Sequence, residues 1–584
     1  MNTRVIVPRT VSVHIYCAGV TAAGLAMSSL PATTSSLTPR QRASSRRHIR
    51  LVGLVVFTCA AVWRVAMCGM YVFNDEEPIV GNILTFFRDR TIVPTHFAYP
   101  TLFSYLAAVP TAIGAAVLRI AGLLPSMGDF GALLTIDSVY AVLPGRLTSC
   151  FFAMLTLVVV FDIGRSFYSE RVGLLATGLL AFSALHLEYS AYALPDVTMT
   201  CFAACSLRYS MSALQTGRSR DFIWSSVFAG LTASTKYNGA LIVLALVFVV
   251  CAQWYRQGRF RAQPLVVNPR WLTIGVAFGI AFLVGSPGWL LRPTLFYSAI
   301  ARESVHMQSG HFGFFGLPYV QQLVLLWQWE KSWSILLVAG VLYAVYRRTP
   351  ADLLLLSVIV PAFGIIGGWQ KQDLHYLLFL YPALTLLAAR FVGDILSTCR
   401  ERRLQGAVVA VALVVAISVW PLYSATARAA AEIGTDTRWV AAEWIQSHVE
   451  QGSTIVLEEE HSHLPRFFTA EEKQRLLAGD HRRFYEQHLA RLRTYDLIRL
   501  VYDPAWVATV KGEYLLVGSY TFERYFTTAV PPSDNPLYEP FVARRATYQV
   551  IFEGRGGWAL ERAFEGRKGP RILLYRRGSA TTSR

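Results

Sequence analysis

Residues 71–100 read YVFNDEEPIVGNILTFFRDRTIVPTHFAYP. They lie between the first two apolar runs of the chain. Three consecutive acids, Asp75, Glu76 and Glu77, follow closely on Val72 and Phe73. A charge at the centre of a membrane costs roughly 2.5–3.5 kcal/mol, and less at its surface. Acids at the exit of a span are therefore either used or kept solvated. Two readings fit them. In one, Asn74 is an N-cap and the acids fill the first helical turn, where the helix dipole favours negative charge. In the other, a carboxylate is held at the membrane–water boundary as a general base. The continuation NILTFFRDR sets Ile83, Leu84, Phe86 and Phe87 among polar residues, the pattern of a helix lying on a membrane surface.

The rest of the chain supplies the membrane. Of its 584 residues 54% are hydrophobic and 16% charged, against about 25% charged in soluble domains. Long apolar runs fill most of the first 425 residues, which predicts a mainly α, polytopic transmembrane domain of about 11–13 spans. The net charge of +17 would suggest nucleic acid in a soluble protein. Here much of the arginine lies in short loops between spans, where it sets orientation, and no nucleic-acid motif is present.

The basic run PRQRASSRRHIR, 39–50, marks the cytoplasmic side, so the first span, about 51–73, exits outward. The segments GRSFYSER (164–171), QTGRSR (215–220), WYRQGRFR (254–261), YRR (346–348) and CRERR (399–403) read as cytoplasmic by the same rule. That leaves 188–196, the turn at Lys236, 291–331, 370–373 and everything after 426 outside. The count does not close. Two apolar segments, about 99–123 and 141–163, separate an outside end from an inside loop. Either one of them does not cross, or a third short crossing lies within 119–145.

Three regions are expected: a cytoplasmic tail at 1–50, the transmembrane domain at 51–425, and an exterior soluble α/β domain at 426–584. In the last, TDTRWVAAEWIQSHVEQGSTIVLEEE reads as a helix and then a strand, with Trp439, Ala442, Trp444 and Ile445 as the apolar face and Gly452 as the stop. GEYLLVGSYTFERYF reads as strand then helix, and YQVIFEG and PRILLYRR as strands. EEEHSH, 458–463, reads as a solvated loop rather than a metal site. No cysteine follows Cys399, so no disulfide holds this domain.

Several polar residues sit at exterior ends of spans. Lys236 in STKYNG lies at a turn between two apolar spans, where a lysine is costly unless paired, used or snorkelling. Asp196 follows Pro195 and is either an N-cap or part of a site. Arg302, His306 and His311 lie in the long loop, and His375 and Tyr376 begin a span.

The order of these features resembles glycosyltransferase family 39, which includes the dolichyl-phosphate-mannose protein mannosyltransferases and the aminoarabinose transferases of lipid A. The matching pieces are FNDEEP (73–78), LPGRLTSCFFAMLTLVVVFDIGRSFYSERVGLLATGLLAFSALHLEYSAYALPD (143–196), GLTASTKYNG (230–239), SGHFG (309–313), HYLLFLYPAL (375–384) and DTRWVAAEWI (436–445). The resemblance implies a GT-C membrane fold. It also implies inverting transfer of a sugar from a polyprenyl-phosphate donor to a hydroxyl acceptor on a protein, lipid or glycan. By position it implies Asp75 as the base, with Glu76 and Asp196 as further catalytic acids. Lys236, Arg302, His311, His375 and Tyr376 would bind the donor phosphate. A divalent metal, if one is used, would fall to Glu76 or His311. The partners are then the donor, the acceptor and membrane lipids, and the site and tail face the extracytoplasmic side of the plasma membrane. Some relatives carry Lys-Pro-Pro before the second span, whereas this chain reads HFAYP. The donor phosphate would then be held otherwise, with His96 at hand. The rival reading is a transporter or flippase, but the chain shows no internal repeat and its charges gather at span ends rather than at the midplane.

Overall fold

The computed structural model describes residues 39–69, 74–258, 268–310, 312, 316–402, 404–458 and 464–578. Contacts divide the chain at Leu51 and Val52, and the architecture below is that of the part from Val52 on. Apolar helices occupy the apolar runs one for one. After Pro39–Met67 come Leu102–Ile120, Val139–Phe167, Glu170–Ala181, Pro195–Thr216, Ser219–Thr235, Val243–Arg256, Arg270–Gly285, Trp333–Arg347, Pro350–Ile366, Tyr381–Arg402 and Leu404–Ala431. Five segments are each long and apolar enough to cross a membrane by length and composition: Leu102–Ile120, Val139–Phe167, Tyr237–Arg256, Leu374–Cys399 and Val411–Ala431.

Local chemistry sets the breaks. The Ser169 side chain accepts the Val172 amide at 3.2 Å and starts one helix, and Pro195 and Pro350 sit in the first turns of two more. A left-handed Gly217 closes Pro195–Thr216. At Gly164 and Gly173 two successive helices meet backbone to backbone, and any side chain there would collide. Leu54, Val62, Val276, Ile280, Leu342 and Val415 point outward and exposed. So much apolar surface is untenable in water and ordinary against lipid.

The helix Leu102–Ile120 resolves the uneven count. Its first end is tied at Thr101, whose amide donates to Ser286 Oγ at 3.3 Å, beside a cavity that Tyr99 lines. Its last end folds back at once, because the amides of Leu123 and Leu124 both reach Leu118 O. A few residues on, Asp129 meets His481 of the C-terminal tail at 2.8 Å, and Arg466 of the tail donates to Thr135 O at 2.6 Å. Both ends therefore lie on the side of the tail. The short helix Asp129–Ile136 packs Phe130, Leu133 and Leu134 into one cluster with the tail's Phe468, Phe484 and Tyr485 and is no crossing. Without Leu102–Ile120, eleven of the helices named above remain, an odd number, as the arginine alternation requires.

The tail after Ala431 is an α/β unit on one mixed sheet. Its strands are β1 (Thr454–Leu457), β2 (Asp496–Arg499), β3 (Tyr514–Gly518), β4 (Trp558–Phe564) and β5 (Ile572–Arg577), in the order β2-β1-β3-β5-β4. β1 runs parallel to β2 and β3, and β5 antiparallel to β3 and β4. Side chains alternate across the sheet. Val456, Leu515 and Val517 pack with Phe541, Tyr548 and Ile551 on one face. Ile455, Tyr514, Leu516 and Ile572 pack with Ala441 and Ile445 on the other.

Three readings of the tail are corrected. YQVIFEG is the end of the helix Tyr538–Phe552, not a strand. Phe541, Tyr548 and Ile551 recur at helical spacing over fifteen residues, which a seven-residue window conceals. The helix Thr437–His448 buries Thr437, Arg438, Ala441 and Ile445 and leaves Trp439 exposed, because Arg438 turns inward onto Asp436 Oδ2 at 2.7 Å. Glu458 is not solvated: it accepts the Tyr548 hydroxyl at 2.6 Å and the Gly518 amide at 3.0 Å. Residues 459–463 lie outside the described residues.

Candidate active site

The acids that open the loop after the first span separate in role. A short 3-10 turn, Asn74–Glu76, leads into the helix Glu77–Arg88. Glu76 stands at the cap position and makes no capping bond. Instead it is fully buried, and Arg146 Nε and Nη2 donate to its two oxygens at 2.8 and 2.7 Å. The Ala193 amide donates to Oε1 at 2.5 Å. Both carboxylate oxygens of Glu76 thus accept from protein donors, Oε1 from two and Oε2 from one. Its buried pair anchors the turn that carries Asp75.

Asp75 faces the other way. It lines a cavity of about 790 Å³ with Glu77, His96, Tyr99, Lys236, Glu303, His306, Trp369, Lys371, His375 and Tyr376. Among the described residues the Asp75 carboxylate forms no hydrogen bond or salt bridge. The helix Glu77–Arg88 is seated by Ile79, Val80 and Ile83, and Asn82 fastens the returning segment through the Thr95 and His96 amides at 3.0 and 2.9 Å.

Lys236 enters between the helix Ser219–Thr235 and the 3-10 turn Tyr237–Ile242. Its Nζ donates to Asp196 Oδ1 at 2.7 Å in a buried pair and lies 5.3 and 5.0 Å from the ring centroids of Tyr99 and Tyr376. Asp196 is in the first turn of its helix, whose N-cap is Leu194, so it is no cap. It does not line the cavity; it holds the lysine that does. Its Oδ2 is buried without a hydrogen-bond partner. His375 lines the cavity with Nδ1 at 2.7 Å from Asp373 Oδ1 and 2.8 Å from the Tyr189 hydroxyl. Asp373 also caps the 3-10 turn Leu374–Leu380 through the His375 amide. Burial pushes Asp373 upward, but the charge and hydrogen bonds of His375 outweigh it and hold the carboxyl below its usual range. Asn238 Nδ2 donates to Tyr376 O at 2.6 Å and ties the two turns together.

Not every candidate arrives. Arg302 lies on the exposed side of the helix Pro293–Ser309, off the cavity. His311 lies outside the described residues. Two charged cavity residues, Lys371 and Glu303, went unread in the sequence. Lys371 carries the same signal as Lys236, a lysine in a short turn between apolar spans. Glu303 has none, because helical phase alone turns it inward and its neighbour Arg302 outward. Burial lowers the Lys371 pKa, against the pull of Asp75, Glu303 and Asp373. Burial also raises Glu303, although Lys371 opposes the rise. His306 is lowered to about 4 by burial and by Lys371, so it is neutral at physiological pH. Among the described residues no three His, Cys, Asp or Glu side chains cluster to hold a metal.

The cavity thus holds the Asp75 carboxylate, unpaired among the described residues, together with two lysines and a histidine, within walls of tyrosine, tryptophan and aliphatic carbon. That arrangement suits an amphiphile with an anionic head. Residues 131–267, which include Asp196 and Lys236 but not Asp75, match the family model of dolichyl-phosphate-mannose-protein mannosyltransferases. No curated protein matches the chain's sequence significantly. Among solved structures, ArnT from Cupriavidus metallidurans bound to undecaprenyl phosphate is 12% identical, over 90% of this chain and 98% of that one, with a TM-score of 0.47. The oligosaccharyltransferase of Archaeoglobus fulgidus is 12% identical over 88% and 80%, with a TM-score of 0.47. The protein O-mannosyltransferase Pmt1–Pmt2 complex of S. cerevisiae bound to its sugar donor is 18% identical over 45% and 36%, with a TM-score of 0.29. The segment 131–267 is thus similar to the dolichyl-phosphate-mannose-protein mannosyltransferases.

Proposed function

We propose that this protein transfers a sugar from a polyprenyl-phosphate donor to a hydroxyl acceptor, with Asp75 as general base, at the extracytoplasmic face of the membrane. The observation that carries the reading is the Asp75 carboxylate, without a hydrogen bond or salt bridge among the described residues, in a cavity that Lys236 and Lys371 also line. The acceptor oxygen attacks the anomeric carbon. The bond from that carbon to the phosphate oxygen breaks, its electron pair stays on the phosphate, and the hydroxyl proton passes to Asp75. A single displacement from the opposite face inverts the anomeric centre. Polyprenyl phosphate leaves readily, so the site needs a base more than an acid. Lys236 and Lys371 neutralise the phosphate in a cavity where desolvation strengthens their charge, and Asp196 positions Lys236. The aromatic and aliphatic walls take the first isoprene units, and the arginine alternation supports the extracytoplasmic placement. The test is conversion of a polyprenyl-phosphate sugar to polyprenyl phosphate by the purified protein in proteoliposomes supplied with a membrane extract as acceptor. Conversion that depends on the extract is expected. Binding of the lipid without conversion, across mannose, arabinose and aminoarabinose donors, overturns the reading.

A further inference from the structure

The C-terminal tail reaches the cavity through one aromatic side chain. Phe312 leaves the membrane part of the chain and enters the tail's core, its ring centroid 5.5 Å from Tyr525 and 6.0 Å from Phe541. Both of those rings are fully buried. The Arg544 guanidinium lies 5.5 Å from the Phe312 centroid and 4.4 Å from that of Tyr502, while Nη1 donates to the Tyr525 hydroxyl at 2.7 Å. Phe312 is therefore seated on a box whose walls all come from the tail. Five residues before it, Met307 lines the cavity, and its carbonyl accepts the amides of Gln370 and Lys371 at 3.0 and 3.2 Å. Between them Gly310, at φ +85°, passes close to Gln370 O, where a side chain would be strained. The lysine that has no salt bridge of its own is thus held, through its backbone, by a segment whose far end the tail grips.

We propose that the tail is a positioning device for the anionic head of the lipid donor: its aromatic box holds Phe312, and through Met307 it sets Lys371 in the cavity. The proposal rests on the donor-site reading above. Lys371 has a flexible stem, and a fixed backbone reduces the freedom it loses when it meets a phosphate. Without the clamp the residues and charges are all still present, but the lysine is no longer placed.

The experiment is a double-mutant cycle on binding of undecaprenyl phosphate to the full-length protein in nanodiscs. The variants are Phe312→Ala, Lys371→Ala, the two together, and Phe312→Tyr. Phe312→Ala should weaken binding about twofold to 150-fold, the range of coupling between linked residues. Phe312→Tyr, which keeps the ring, should bind as wild type does. Adding Phe312→Ala to Lys371→Ala should cost nothing more. A variant that simply fails to fold shows a lowered melting temperature and loses binding in the Lys371→Ala background too, which counts against the proposal. Wild-type affinity in Phe312→Ala, or losses that multiply in the double variant, overturn it. Wild-type affinity in Lys371→Ala sinks the donor-site reading itself, so the two failures are told apart.

Discussion

Lys236 and Lys371 face the same cavity and are held by different means. Lys236 is paired with Asp196 at 2.7 Å, so its charge is secured by a buried partner. Lys371 makes no salt bridge among the described residues, and burial lowers its pKa below 10.5. The protonated form binds phosphate, so donor binding should persist at low and neutral pH. It should fall as pH rises through the lowered pKa, earlier than an ordinary lysine would allow. Lys371→Arg keeps its charge throughout and should remove that alkaline fall in a pH series of donor affinity; the same fall in both proteins contradicts the assignment. A single charged residue between apolar runs was legible for Lys236, and the same rule applied to 370–373 finds Lys371. Asp196 had two readings in the sequence. Its partner is Lys236, 40 residues on, and the pair explains the acid without a capping role. Arg302 and Glu303 show the limit of reading residues singly, because which of them meets the cavity depends on the phase of a helix.

Among the elements, the turn Asn74–Glu76 with the helix Glu77–Arg88 decides where Asp75, the proposed base, stands. Glu76 looks like a companion to Asp75 in the sequence, but it is the pin that fixes the turn. Its partner Arg146 is 70 residues away, beyond any local pattern. Breaking a buried pair by removing one charge costs about 3–5 kcal/mol, whereas replacing both partners with apolar groups is often neutral. Glu76→Gln should therefore lower the melting temperature clearly, and Glu76→Leu with Arg146→Met should recover part of the loss. An unchanged melting temperature in Glu76→Gln shows that the pair does not anchor the turn. Element type was legible where the apolar repeat ran long, as in Val139–Phe167 and Leu404–Ala431, but not in Pro293–Ser309 and Pro318–Glu330, which lie in the stretch 291–331 read as a loop. It was missed in the tail, where β2 and β4 are edge strands with exposed residues on them and the end of Tyr538–Phe552 reads like a strand in isolation.

For the whole molecule, the arginine alternation was a better guide than the count of apolar runs. Leu102–Ile120 has the length and hydropathy of a span, yet both its ends meet the tail side. Composition cannot tell a helix that crosses from one that lies against its neighbours. In a cysteine-free background, Leu123→Cys and Ser447→Cys should react together with an impermeant thiol reagent on intact cells, and Ser166→Cys should react after permeabilisation alone. All three positions are exposed. Labelling of Leu123→Cys together with Ser166→Cys contradicts the eleven-span topology. That topology puts Asp75, Lys236 and Lys371 in one compartment with the tail, which is what a transferase acting on a lipid-linked sugar requires. The most direct measurement of the central claim is turnover of a polyprenyl-phosphate sugar by Asp75→Asn in proteoliposomes, beside wild type and Glu77→Gln at matched stability. Asparagine keeps the shape and cannot take the acceptor proton, so the rate should fall by about 10²–10⁴, while Glu77→Gln stays within severalfold and donor binding persists in both. An Asp75→Asn protein that keeps more than about a tenth of the wild-type rate, outside that range, contradicts the assignment of Asp75 as the base.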